Sequence, residues 1–243
     1  MGPLAQTLES LKQYFDPQGA CDVGALAGSR AHGQLAATLA DLSQFDPRKM
    51  RIPAQIAFWL NVYNAAVVRD LLEFDGDAFF ARQRLLIAGH RWSLDDIEHG
   101  MLRGNAPKHS RFSPPMAKAD PRLALAPVTF DERGHFALYR ACRSTPPLRV
   151  YVADQLESQL EDAAREYLRA TVRIKDEGAK VKVPKLFHWY ADDFGGSGGV
   201  LEFVVARLDD ESVDLIDRRQ GRVKLKYHDH DWTPFFRSEA IRP

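Results

Sequence analysis

The stretch Pro53 to Phe74, PAQIAFWLNVYNAAVVRDLLEF, most constrains what this chain can become. Pro53 suits a first helical position, where its fixed φ fits and its missing N–H costs nothing. From Ile56 to Val68 only Asn61 and Asn64 are strongly polar, with Tyr63 amphipathic. An apolar stripe would bury one face, whereas a rod that is apolar almost all round belongs inside the protein. The run is too short and too interrupted by amides to span a membrane. Asn61 and Asn64, three apart, share a face. A buried amide without partners costs about 1–3 kcal/mol, so something must hydrogen-bond them. Either each Asn clamps a backbone that crosses the helix, or the two line a site and orient a ligand or catalytic group.

The remaining chain supplies what packs on this rod. Leu4 to Phe15 and Leu35 to Phe45 read as amphipathic helices, stopped by Asp16-Pro17 and Asp46-Pro47. Leu85 to Trp92 suggests a short hairpin. Ser93-Leu94-Asp95-Asp96 resembles a capped start for the helix SLDDIEHGMLR, which carries Glu98, His99 and Arg103. Asn105 to Asp120 is a long basic loop with Lys108, His109, Arg111 and Lys118, read as a lid or a solvated insertion. Gly134 to Cys142 alternates like a strand and ends at Pro146-Pro147. Val150 to Ala170 is an amphipathic helix, and Val172 to Val183 a hairpin turning at Asp176-Glu177-Gly178. A short helix, KLFHWYADDF, runs into Gly195-Gly196-Ser197-Gly198-Gly199, read as a flexible turn. Val200 to Leu208 is helical, and Gly221 to Tyr227 a terminal strand. These elements predict one α+β domain over residues 1–243: a central buried helix against a small, mainly antiparallel sheet, with peripheral helices. Residues 1–49 form an N-terminal helical part and 50–233 the core.

Lys plus Arg equals Asp plus Glu at 33 each, which gives no overall pull toward nucleic acid or anionic membrane. Two cysteines, Cys21 and Cys142, are too few for a disulfide framework. The N-terminus carries no signal-peptide pattern, so the expectation is a soluble, cytoplasmic protein unless a leader was trimmed. The run His228-Asp229-His230-Asp231 could place two imidazoles and a carboxylate on one strand face. A solvated terminal segment explains it as well, and no metal or other cofactor is expected.

Several segments in order resemble the domain-of-unknown-function family 547 of bacteria and plants. They are AFWLNVYNA (57–65), SLDDIEHGMLRG (93–104), DPRLALA (120–126), HFALYRACRSTPPL (135–148), VKVPKLFHWYADDFG (181–195), and a closing Tyr227 with Asp231-Trp232. The resemblance covers roughly residues 50–233 and implies a fold rather than a reaction. Members usually carry a cysteine just before the Pro-Pro pair; this chain has Thr145 there and Cys142 three residues earlier. A thiolate near a His is a competent nucleophile, and a threonine hydroxyl is far poorer. The first expectation is therefore a member that has lost thiol chemistry and binds a small molecule, peptide or protein. Its pocket would be built from Asn61, Tyr63, Asn64, Glu98 and Arg103, rimmed by Ser144, Thr145 and the 105–120 loop. The alternative is a hydrolase or acyl-transfer enzyme of Cys-His-like ancestry, using Ser144, Thr145 or Cys142 with His135. A third reading is an interaction domain without a small-molecule site.

Overall fold

The computed structural model describes residues 2–109, 112–127 and 129–237, so Arg111 of the basic loop lies outside the described residues. The fold class is α+β, as expected. The chain packs as two compact units, Met1–Gln159 with Trp232–Pro243, and Leu160–Asp231.

In the first unit, helices α1 (Pro3–Leu11), α2 (Val23–Ala27) and α3 (Arg30–Ala40) precede the central helix α4 (Ile52–Arg69). Residues 57–68 of α4 are all buried, as an all-round apolar rod requires. It ends at Arg69, and a separate 3-10 turn, Leu71–Glu73, finishes the stretch before α5 (Asp77–Ala81). Strands β1 (Leu85–Ile87) and β2 (His90–Trp92) form the expected antiparallel hairpin. Its turn residues Ala88 and Gly89 both take positive φ, the geometry of a two-residue turn that matches strand twist. The rod meets this hairpin through Trp59 and Trp92, whose ring centroids are 4.9 Å apart.

The stretch after Ser93 is a π-helix over Asp96–Leu102 rather than an α-helix, with Arg103 N donating to Glu98 O and Asn105 N to Gly100 O, five residues back. Its start is a reciprocal cap: Asp96 N donates to Ser93 Oγ at 3.0 Å, and Ser93 N to Asp96 Oδ2 at 2.9 Å.

The strand predicted over Gly134 to Cys142 is not formed. Glu132–Phe136 is a 3-10 turn, and an irregular chain follows. The reason is burial on both alternations: every residue from Phe136 to Cys142 is buried, so no solvent face exists for a period-two pattern. Its backbone groups find partners outside a ladder. Tyr139 N and Ala137 O bond to Asn64, Leu138 O to Arg140, and Arg140 N to Thr145. Phe235 N donates to Ala141 O, and Arg143 N to Thr233 O. The segment 233–237 is also tied to Cys21, whose N donates to Phe235 O.

Helix α6 (Leu156–Thr171) begins six residues later than the expected Val150, after a 3-10 turn at Ala153–Gln155. In the second unit, β3 (Arg173–Lys175) and β4 (Lys180–Pro184) form the expected hairpin. Helix α7 (Leu186–Trp189) follows. The glycine run is not a flexible turn: helix α8 spans Gly196–Val205 and so contains most of it. Gly199 is required there, because a Cβ would lie 1.7 Å from Phe194 O. Helix α9 (Asp210–Asp217) has no counterpart in the sequence reading, although Asp209 caps it through Ser212 N. Strand β5 (Lys224–His228) is the terminal strand, paired parallel to β4.

Candidate functional site

Asn61 and Asn64 are clamps. Asn61 Nδ2 donates to Tyr151 O at 2.7 Å, and its Oδ1 accepts from Tyr151 N at 2.9 Å. Asn64 Nδ2 donates to Ala137 O and Arg149 O, and its Oδ1 accepts from Tyr139 N. Asn64 is fully buried. The two amides thus hold both arms of the chain that turns at Pro146-Pro147 against α4.

Next to the clamps lies a buried charged cluster. Glu98, on the π-helix, accepts from Arg140 Nη2 at 2.7 Å and from Tyr63 OH at 3.3 Å. Burial raises the Glu98 carboxyl, but the neighbouring Arg140 guanidinium, followed by His99 and then His135, outweighs it and holds the group ionised well below the usual carboxylate range. Burial, then the Glu98 charge, pushes the Tyr63 phenol well above its ordinary value. The structure therefore brings Tyr63, Glu98 and His135 together, with Arg140 as the counter-charge that the sequence reading missed. One signal was available: Arg140 is the only charged residue between Phe136 and Cys142, and a buried charge demands a partner.

Arg103 belongs to a different cluster. Its Nη1 donates to His99 Nδ1 at 3.0 Å and to Pro107 O at 2.8 Å. Burial drives the His99 pKa down to about 3, and the nearby Arg103, Lys108 and Arg140 add to it against the pull of Glu98. His99 is thus neutral near pH 7. Because Arg103 can only donate, Nδ1 is the acceptor and Nε2 carries the proton. That nitrogen lies 3.8 Å from Asp95 Oδ1, whose carboxylate also accepts from Lys108 Nζ at 3.2 Å. Asp96 pairs with Arg122 at 3.0 Å.

These groups surround a concave cavity of about 180 Å³, lined by Ser93, Asp95, Asp96, His99, Lys108 and Ser113 with Ala81, Gln83 and Pro115. The loop after the π-helix supplies Lys108, Ser113 and Pro115. It is closed by a third amide clamp: Asn105 Nδ2 donates to Met116 O at 3.0 Å, and Asn105 Oδ1 accepts from Met116 N at 3.2 Å. Sequence reasoning named the loop, Glu98 and Arg103, but not His99, Asp95 or Lys108 as a group. The spacing Asp95, His99, Arg103 at intervals of four was the available signal.

The expected nucleophile turn sits elsewhere. Thr145 is buried; its Oγ1 donates to Cys142 O at 2.9 Å and accepts from Arg140 N at 3.4 Å. Cys142 and Cys21 are buried thiols not joined in a disulfide, and Ser144 is half-buried. Burial pushes the Cys21 thiol up to about 12. His135 lies on a 3-10 turn with its ring against Phe130. Neither His135 nor any residue of this turn lines the 180 Å³ cavity. Among the described residues no group of three or more His, Cys, Asp or Glu is placed to hold a metal ion. Among them, too, no helix is long and apolar enough to cross a membrane.

The model of the family described as "Protein of unknown function, DUF547" matches residues 47–168, half of the chain. That span runs from before α4 to near the end of α6, and it holds all three clamps, the Glu98–Arg140 pair and the polar cavity. No curated protein and no solved structure matches the chain.

Proposed function

Since the chain belongs to the DUF547 family, whose description assigns no reaction, we propose from the site itself that this is a ligand-binding domain whose polar site is the cavity beside the π-helix. The observation that carries this is the set of groups facing one space: donors from His99 and Lys108, acceptors from Asp95 and Asp96, and both from Ser93 and Ser113. A π-helix widens the turn and recurs at functional sites. At about 180 Å³ the cavity is below the volume of drug-sized pockets. It fits one small polar molecule, or the polar end of a larger one.

Binding rather than catalysis is the reading the protonation states support. A general base should have a pKa near the working pH, and His99 is held near 3 with its proton on Nε2. It can donate a hydrogen bond to a ligand but is a weak base. Loss of thiol chemistry belongs to the same proposal: the Thr145 hydroxyl is committed to the backbone of its own turn.

The test is a titration of amide resonances with free amino acids, monosaccharides and small dicarboxylates. At least one class should shift Asp95, His99 and Lys108 saturably, and Lys108→Met should abolish the shifts. If no class moves those resonances, or if the shifts persist in the variant, the cavity is not a binding site.

A further inference from the structure

A larger open space has no part in the polar site. It amounts to about 590 Å³ and lies between the start of α1, the end of α3, the first half of α4 and residues 151–154. Its walls are Leu4, Leu42, Phe45, Met50, Ala57 and Phe58, and its volume is in the range of small-molecule sites. The charge on its lining is one-sided. Asp41 and Asp154 line it, and among the described residues no Lys or Arg does. Asp154 is already paired with Arg51. Asp41 is exposed, forms no ion pair among the described residues, and stands where α3 passes into a 3-10 turn, Asp41–Gln44. Beside it the Phe45 and Phe58 rings stack at 5.1 Å, with Phe45 38% exposed, and aromatic faces attract cations.

We propose that this cavity binds a cationic amphiphile: an apolar chain or ring that fills the space, bearing a protonated or quaternary amine held at Asp41. The apolar body gains from leaving water. The cation answers Asp41, the one charge on the lining without an ion pair among the described residues.

The experiment compares three twelve-carbon amphiphiles below their micelle concentrations by calorimetry: dodecyltrimethylammonium, dodecyl maltoside and dodecyl sulfate. The cation should bind about tenfold more tightly than the other two, as one attractive charge contact near the surface allows. Asp41→Asn should erase that preference while leaving dodecyl maltoside unchanged. Ala54→Trp should abolish binding of the cation by filling the cavity; Met50→Trp serves the same end if circular dichroism shows that the first variant misfolds. Equal affinity for all three amphiphiles overturns the assignment of a cation. Cation binding undiminished by both tryptophan variants means adsorption elsewhere and overturns the site.

Discussion

Asn61 and Tyr151 are joined by a closed pair of hydrogen bonds, side-chain amide to backbone amide, 90 residues apart in the chain. Each bond mimics half of a β-ladder pair, so a helix borrows the pairing of a strand to hold a non-helical segment. Asn105 and Met116 repeat the device across the cavity loop. The amide is the right group because it supplies donor and acceptor together without a charge to desolvate.

Replacing either central amide should therefore be costly. Asn64→Ala removes the bonds to Ala137 O, Arg149 O and Tyr139 N, the first and last of them buried; at about 1–3 kcal/mol per buried group left unsatisfied, the loss should reach about 3 kcal/mol. Asn61→Ala orphans two groups and should cost somewhat less. Urea denaturation measures both. A loss under about 1 kcal/mol for Asn64→Ala would mean that the turn at Pro146-Pro147 does not depend on the clamp.

The Glu98–Arg140 pair should behave as a unit. Glu98→Gln keeps the shape but leaves a buried guanidinium without its counter-charge, an arrangement that costs about 3–5 kcal/mol. Adding Arg140→Met should recover part of that loss, because two uncharged groups of similar volume need no compensation. A double-mutant cycle reads the coupling directly. Additive losses would show that the 2.7 Å contact contributes no coupling.

What the sequence revealed and what it concealed separate along one physical line. Periodicity found the rod of α4, both hairpins and the capped start at Ser93, because each is decided by neighbours in sequence. The amides were legible as a demand: Asn61 and Asn64 in an apolar run must be satisfied, and the segments around His135 and the double proline do satisfy them. The form of that satisfaction was not legible. Residues 134–142 alternate like a strand, yet tertiary burial takes both faces, and side chains replace the ladder. The polar cavity was hidden for a related reason. Asp95, His99 and Lys108 come from a helix start, a π-helix and a loop, and only the wide turn and the Asn105 clamp bring them to one space.

Stability should fall in mild acid because of His99. In the unfolded chain it titrates near 6.5, while in the fold it stays neutral down to about 3. The unfolded state therefore binds more protons between those values. The stabilisation is fully present above 6.5 and is lost as the pH falls toward 3, with a slope of up to about 1.4 kcal/mol per pH unit. Glu98, depressed from 4.5, adds its loss only below that pH. His99→Asn keeps an acceptor for Arg103 and removes the titration, so it should flatten the stability profile between pH 4.5 and 6.5. An unchanged slope in the variant would assign the acid sensitivity to other groups.

Thiol reagents should find nothing in the native protein. Cys21 is held protonated far above neutral pH by burial, and Cys142 is fully buried; the reactive species is an accessible thiolate. Iodoacetamide at pH 8 should leave both unmodified in the fold and modify both in denaturant, as mass spectrometry can count. Rapid native labelling of Cys142 would revive a nucleophile on this turn and count against the loss of thiol chemistry.

The Asn105 clamp should govern the cavity more than the fold. Asn105→Leu removes both bonds to Met116, which is buried, and costs about 1–3 kcal/mol. Met116 also packs against Gly100 of the π-helix, where an added Cβ would come within 2.6 Å of its methyl. Loosening the loop therefore uncovers the π-helix and lets water reach His99. Since burial is the main reason its pKa is low, that pKa should climb back toward 6.5, and proton resonances of the imidazole report it. The loop between 105 and 116 should also be cut faster by a protease. If His99 titrates as before and cleavage is no faster, the cavity is shaped by the π-helix alone and the loop is not its lid.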